Sequence, residues 1–417
     1  MTVRFLATVT LVAGSLIAQT AAQTAAQTAA RTAAQTAVQT PAQSPATAAP
    51  RVFLIDPQAY VRARQNPTPP FLAKVKSEAA RAMKTTLLSV TMKPQTPPSG
   101  DKHDYLSMAI YWWPDPKKPN GPYIHRDGEH NPDVTAIPDF DNLTSMIAAV
   151  HPLALSYYIT GNEEHAARAA QLIRTWFLDP ATAMNPNLNY GQGIKGINDG
   201  RAAGIIETHN LPFVVDAAGL LAGSKAWTAA DDASLRQWFT RFHQWLTTAP
   251  IAIQEDHEAN NHGSWFQEQI TPIELYLGLT DQARARLTLV HTERIPHQIK
   301  PNGDQPLELA RTNSFFYSFY NLQALSTDAA VALELGIDLY QPAKPGAPTI
   351  LTALDALLPY DLDHPWPHEQ IIDRKNNAAC WTLYYAQAHV PNPKYEDALR
   401  RFDCSRNAYG YIISYSH

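Results

Sequence analysis

Apolar residues recur at helical spacing along most of this chain, and strand-like alternation is scarce. Leu143, Met146, Ile147 and Val150 set a stripe that runs on to Tyr158-Ile159. Thr160-Gly161-Asn162 interrupts it, and Ala166, Ala169, Ile173, Trp176 and Phe177 form a returning face that Asp179-Pro180 stops. The same helix-turn-helix alternation joins Phe213 to Leu221 with Leu235 to Leu246, and Trp265 to Leu279 with Ala283 to Ile295. Phe315 to Leu335 and Asn377 to His389 add further helix. Stacked antiparallel pairs predict an all-α chain folded as an α/α toroid, an incomplete barrel of about six to seven helix pairs. The connections Tyr111 to Pro138, Asn185 to Thr208 and Pro296 to Pro306 are long and rich in Pro, Asn, Gly and aromatics. Long connections in a compact domain are usually functional, so these are expected to gather at one rim and roof a cleft.

The first residues follow a different rule. Arg4 supplies a positive start, Phe5 to Ala18 is apolar, and small residues from Ala18 to Ala22 offer a cleavage site. Residues 1–22 therefore read as a secretory signal peptide; the apolar run is short for a membrane anchor. From there to residue 50 the chain repeats Ala, Gln and Thr with no apolar stripe, which predicts a flexible tether. Residues 51–417 are left as a single folded domain, in a secreted or periplasmic protein.

Of the 417 residues, 45% are hydrophobic and 17% charged, enough to bury a large core. A net charge of −5 argues against nucleic acid as a partner. It leaves room for an anionic polysaccharide, because a few convergent cations make a locally positive cleft. Nothing beyond the signal is long and apolar enough to hold the chain in a membrane. Cys380 and Cys404 can form one disulfide or stay as two small buried thiols; either way a thiolate zinc site is excluded. The oligomeric state is not legible.

Candidate chemistry concentrates in two segments. Asn260-Asn261-His262-Gly263-Ser264-Trp265 is followed by Glu308-Leu309-Ala310-Arg311 and then Tyr317. Such a set suits β-elimination, in which a proton leaves the carbon next to a carboxylate and the glycosidic oxygen departs from the next carbon. The carboxylate's growing charge must be met by placed donors, each worth about 3 kcal/mol. Asn260, Asn261 and Arg311 can donate, His262 can donate or act as base, and Tyr317 can be acid or base if nearby positive charge lowers its pKa. His209, in Arg201-Ala202-Ala203-Gly204-Ile205-Ile206-Glu207-Thr208-His209-Asn210, is a third candidate, a base if burial keeps it neutral. No cofactor is required, and no metal: His257 and His262 are five residues apart, not the four of two ligands on one helix face.

Each residue also has a structural reading. Asn260 and its neighbours can cap the helix that follows. Arg311 can pair with Glu308 on one helical turn. Tyr317 lies in the aromatic run Phe315 to Tyr320 and can be core, and His209 can be a hydrogen-bonded interior residue. Trp112 and Trp113, in Tyr111-Trp112-Trp113-Pro114-Asp115-Pro116, offer flat faces for pyranose rings or packing for the prolines. Asn187, Tyr190 and Gln192 in the run Asn185 to Gln192, together with Arg201 and Tyr320, complete the expected substrate-binding set.

These motifs resemble the alginate lyase superfamily, in particular polysaccharide lyase families 5 and 38. The resemblance rests on the Tyr111 to Pro116 run, Gly121-Pro122-Tyr123-Ile124-His125-Arg126-Asp127-Gly128, Asn185-Pro186-Asn187-Leu188 and Gly204-Ile205-Ile206-Glu207-Thr208. Asn260 to Trp265 and Leu307-Glu308-Leu309-Ala310-Arg311-Thr312 complete it. It implies a helical toroid, metal-independent β-elimination and a uronan substrate, either alginate or glucuronan. It also implies Asn261 and His262 at the carboxylate or as base, Arg311 in support and Tyr317 as acid. Family 5 places its tyrosine seven residues after the arginine, where this chain has Ser318, and that departure favours family 38. A glycoside hydrolase would need two carboxylic acids facing one bond, for which Asp133, Asp199, Glu207 and Glu268 are available, and a glycan-binding protein would need only the aromatic loops.

Overall fold

The computed structural model describes residues 49–361, 364–374, 377–406 and 408–416. The expected signal peptide and nearly all of the tether lie outside the described residues. The helices are α1 (Pro57–Gln65), α2 (Pro69–Ala82), α3 (Asp139–Thr160), α4 (Glu163–Ile173), α5 (Pro212–Leu220) and α6 (Ala229–Thr248). There follow α7 (Pro250–Asp256), α8 (Asn261–Leu277), α9 (Thr280–Leu289), α10 (Ile295–Gln298) and α11 (Pro306–Leu309). The last are α12 (Ser314–Glu334), α13 (Ile350–Leu357), α14 (Asn377–His389), α15 (Pro393–Arg401) and α16 (Ala408–Ile413).

The expected α/α toroid is what the chain forms. Helices α3, α5, α8, α12 and α14 pack one against the next as an inner series. A second set backs them: α2 and α4 lie on α3, α6 and α9 on α8, α13 on α12, and α15 on α14. Burial explains the order, since α8 hides nearly every residue and α12 most of them, while α4 hides the predicted Ala166, Ala169 and Ile173 together with Ala170 and Leu172. Gly161, at φ 72°, ends α3, and the Asn162 side chain caps α4 through the Glu164 N–H, as the break in the pattern indicated.

The chain's two ends clasp each other. Helix α16 packs on α14, α2 and α1, and α1 packs on α3, which closes the series. Thr68 N donates to the Tyr415 hydroxyl at 2.9 Å, Arg62 donates to the Tyr415 carbonyl, and the Tyr385 hydroxyl donates to the Leu54 carbonyl at 3.1 Å. Cys380 and Cys404 form a disulfide that ties α14 to the segment after α15.

Strands are few and short: β1 (Leu106–Met108), β2 (Trp112–Trp113), β3 (Ile124–His125) and β4 (Tyr190–Gly193). β1 pairs in parallel with β4, β2 with β3 as an antiparallel ribbon, and the Tyr123 N–H donates to the Lys195 carbonyl at 3.1 Å, so the first two long connections are bound together. A fully buried ion pair, Lys93 to Asp139 at 2.8 Å, fastens this loop layer to the start of α3. Asp139 also accepts the Leu106 N–H, so its charge is doubly held. The layer thus lies over the N-terminal ends of the inner helices.

Candidate active site

Helix α8 begins where Asn260 accepts the His262 N–H at 3.0 Å, so Asn260 does cap the helix. The next residue faces inward: Asn261 is completely buried, and its N–H and Nδ2 donate to the two carboxylate oxygens of Glu308, both at 2.7 Å. Burial pushes the Glu308 carboxyl up, while these two bonds and the charges of Arg311 and His262 restrain it. Glu308 is therefore the partner of Asn261 and not of Arg311. The amide nitrogen expected to meet a substrate carboxylate is engaged by Glu308, and Asn261 Oδ1 is buried without a partner among the described residues.

His262 points its Nδ1 at Glu255 Oε1, 2.6 Å away. The carboxylate accepts the Nδ1 proton and leaves Nε2 as the free face of the ring. The Glu255 charge also acts on Arg201, whose pKa it raises against burial.

Arg311 reaches across to the loop layer. It binds Asp127 through Nε and Nη2 at 2.5–3.1 Å, and Thr312 donates its N–H and hydroxyl to the same carboxylate at 3.0 Å. Burial alone would raise the Asp127 carboxyl, but the Arg311 and Thr312 bonds outweigh it and hold the group at about 2. Gly128 makes the approach possible: it has φ +74°, and a Cβ there would collide with the Thr312 and Asn313 side chains.

The Arg311 guanidinium lies 3.7 Å from the centre of the Tyr317 ring, and the Tyr317 hydroxyl is 2.6 Å from that of Tyr111. Burial and the Tyr111 phenol together push the Tyr317 hydroxyl well above its ordinary value, against the opposing pull of Arg311. Nearby positive charge was expected to lower it; here desolvation wins, and the Tyr317 hydroxyl stays protonated. Tyr320, one helical turn on, lies against Trp265 with ring centroids 4.6 Å apart.

His209 packs on the same indole, 4.4 Å away, and its Nδ1 donates to the Ile206 carbonyl at 2.6 Å. Burial lowers its imidazole to about 4, so the ring is neutral near pH 7 with Nε2 as an acceptor. Arg201 donates to Gln192 Oε1 at 2.6 Å, and burial lowers its pKa against the raising charges of Glu255 and Glu207. Gln192 is held at φ +50°, a strained conformation for a non-glycine residue at a rim. Tyr190 stands half-buried two residues before it on β4.

Other expected residues are used inside the loop layer. Asn187 donates to Asp104 at 3.1 Å and accepts the Asn189 N–H, which makes it a turn residue. The Trp113 indole donates to the Glu129 carbonyl at 2.9 Å with Arg126 over its face, while Trp112 packs beside His125. Of the carboxylates in the hydrolase reading, Asp133 and Asp199 are exposed, while Glu207 accepts from Tyr105 and Ser107 and Glu268 is buried in the field of Asp328. No group of three or more His, Cys, Asp or Glu among the described residues has metal-binding geometry.

Sequence reasoning did not single out Tyr111, Asp127, Glu255 or Glu308 for these jobs. Tyr111 and Asp127 stand inside motifs already noted, and Glu308 was read only as a local partner of Arg311. Glu255 carries no signal, because its tie to His262 depends on the turn between α7 and α8.

The chain is a polysaccharide lyase, as its relatives of the same fold show. The sequence profile of the alginate lyase family matches residues 89–366, and the chain belongs to that family. A crystal structure of an alginate lyase from Bacteroides ovatus is 36% identical, with a TM-score of 0.82 over 88% of this chain and 99% of that one. Alginate lyase A1-III, in a variant complexed with a tetrasaccharide, shares the fold at 15% identity and a TM-score of 0.55, over 84% of this chain and 90% of that one. No match was found among curated proteins.

Proposed function

We propose that this lyase cleaves a uronic-acid polysaccharide, alginate (as polymannuronate) or glucuronan, by metal-independent β-elimination that leaves unsaturated uronate ends. The observation that carries the reading is the Tyr317 hydroxyl, kept protonated by burial and bonded to Tyr111, with Arg311 against its ring and neutral His209 nearby. Tyr317 protonates the departing O4. In mannuronate and glucuronate the C5 hydrogen lies on the same ring face as that oxygen, so one tyrosine can act as base and acid in turn, as a phenolate that takes the C5 proton and then gives it to the departing O4. In guluronate the two lie on opposite faces, and His209 or His262 takes the proton through Nε2. His262 faces the carboxylate side, Asn261 acts from behind by holding Glu308 and Arg311 by seating Tyr317, with Asn260, Tyr190, Gln192, Arg201, Tyr320 and the Trp112-Trp113 and Asn187 loops along the chain's path.

Residues 1–22 are read as an export signal, 23–50 as a tether and 51–417 as the lyase domain of a secreted or periplasmic enzyme. In support, no helix among the described residues is long and apolar enough to cross a membrane, and a disulfide suits an oxidising compartment.

The test is incubation with polymannuronate, polyguluronate and glucuronan, followed by ultraviolet absorbance of the conjugated double bond, with and without a chelator. Absorbance should rise on at least one uronan and survive chelation. New reducing ends without absorbance would mean hydrolysis, and loss on chelation restored by calcium or zinc would overturn the metal-free scheme.

A further inference from the structure

We propose that a pocket beside the catalytic constellation binds a further hexopyranose ring of the same polysaccharide, recognised by its apolar face and hydroxyl groups and not by its carboxylate. The inference rests on the uronan reading above and adds to it where a second ring is held. A cavity of about 290 Å³ opens between α3, the start of α5, α14 and α16, lined among others by Ile147, His151, Asn210, Phe213, Trp381 and Tyr409. That size is at the small end of ligand pockets and fits one ring, not an extended chain.

Its position follows from the chain. Asn210 lines the cavity and directly follows His209, whose ring packs on Trp265 in the catalytic group. Consecutive residues just before α5 thus serve the two places, His209 the catalytic group and Asn210 the cavity wall. Phe213 and Trp381 are only half-buried, and Tyr409 packs behind both at ring-centroid distances of 5.1 Å. They present supported aromatic surface to whatever enters.

The polar atoms decide the ligand class. His151 is 6% exposed, and its Nε2 has no partner among the described residues. An interior nitrogen left this way is costly, and a ligand hydroxyl would satisfy it. Burial holds the imidazole at about 3, so it meets the ligand as a neutral group that can donate or accept. No Lys or Arg is among the described residues lining the cavity, whereas Glu78 is. A uronate held here must turn its carboxylate to solvent.

A ladder of oligosaccharides from the preferred uronan tests this, with wild type, Ala148→Phe and Trp381→Ala. Ala148 is exposed on α3 at the cavity wall, so a phenyl group there fills the space without disturbing the core. In wild type, kcat/KM should rise once the oligosaccharide is long enough to reach the pocket. Both variants should lower the long-to-short ratio of kcat/KM by about three- to tenfold. An unchanged ratio in Ala148→Phe overturns the proposal while leaving the lyase assignment standing. If wild type cleaves no uronan, the substrate reading fails, and calorimetric titration of the same ladder decides the pocket. Weaker binding of long oligosaccharides to Ala148→Phe supports it; equal heats, including none for either protein, overturn it.

Discussion

Replacing Asp127 by Asn asks whether the loop layer positions the reacting tyrosine. Asp127 grips Arg311 with both oxygens, and Arg311 lies 3.7 Å from the Tyr317 ring centre. Asparagine keeps the volume and one acceptor for Thr312, but it turns an NH2 toward the guanidinium and removes the ion pair. A carboxyl held at about 2 instead of 3.8 corresponds to roughly 2.5 kcal/mol. With 21% of the side chain in solvent, screening reduces this to about 1–2 kcal/mol. The folded-state value is depressed, so this stability is fully present above about pH 4 and is lost as the pH falls toward about 2. Urea midpoints measured at a series of pH values should show Asp127→Asn weaker than wild type at neutral pH, with the gap closing below about pH 4. With Tyr317 less firmly seated, kcat should fall about tenfold for each 1.4 kcal/mol of lost positioning, while KM moves little. A neutral-pH midpoint equal to wild type together with kcat within about twofold would refute the reasoning.

Tyr317→Phe should reduce kcat by about 10²–10⁴-fold with oligosaccharide binding retained, and Tyr320→Phe should do much less; the reverse order would identify Tyr320 as the acid. If one tyrosine makes both proton transfers, His209→Gln and His262→Gln each cost less than Tyr317→Phe, whereas collapse of either to the same level identifies that histidine as the base. Because His209 is held at about 4, a rate limb near pH 6.5 that survives in His209→Gln belongs to another group. Cys404→Ala opens a bridge between residues 24 apart and should lower stability by about 3 kcal/mol, read as a urea midpoint; no change would show the bridge is energetically idle.

The inner helices were legible because each carries a long apolar stripe or is apolar nearly all round. In the backing set α4, α6 and α9 were legible too, whereas α1, α2, α13, α15 and α16 were not. Pro57, Pro69 and Pro393 look like breaks in sequence, yet each stands at a helix start, where a missing N–H costs nothing. In the site, residue types and their grouping pointed to Asn261, His262, Arg311 and Tyr317, since each lies in a segment with more polar chemistry than a core needs. Their partners were out of reach. Arg311 chose Asp127, 184 positions away, over Glu308, three away, because Glu308 is held by the backbone and amide of Asn261. Proximity along the chain was the wrong guide to a contact made across the roof of a ring.

The clasp between the chain's ends bears on how the protein is made. Thr68 and Tyr415 are 347 residues apart, Leu54 and Tyr385 are 331 apart, and the Ala408 N–H reaches Glu78 across 330. During synthesis α1 and α2 emerge well before residues 385–415, which supply part of the surface that covers them. Contacts of such sequence separation are slow to form, because the chain between them must be ordered first. Helices α1 and α2 can pack on α3 early, but the part of their surface that α16 covers must wait until residues 408–415 are available. Joining residue 416 to residue 51 and reopening the chain at an exposed turn elsewhere would make that late encounter local, and the permuted protein should fold faster than the natural one.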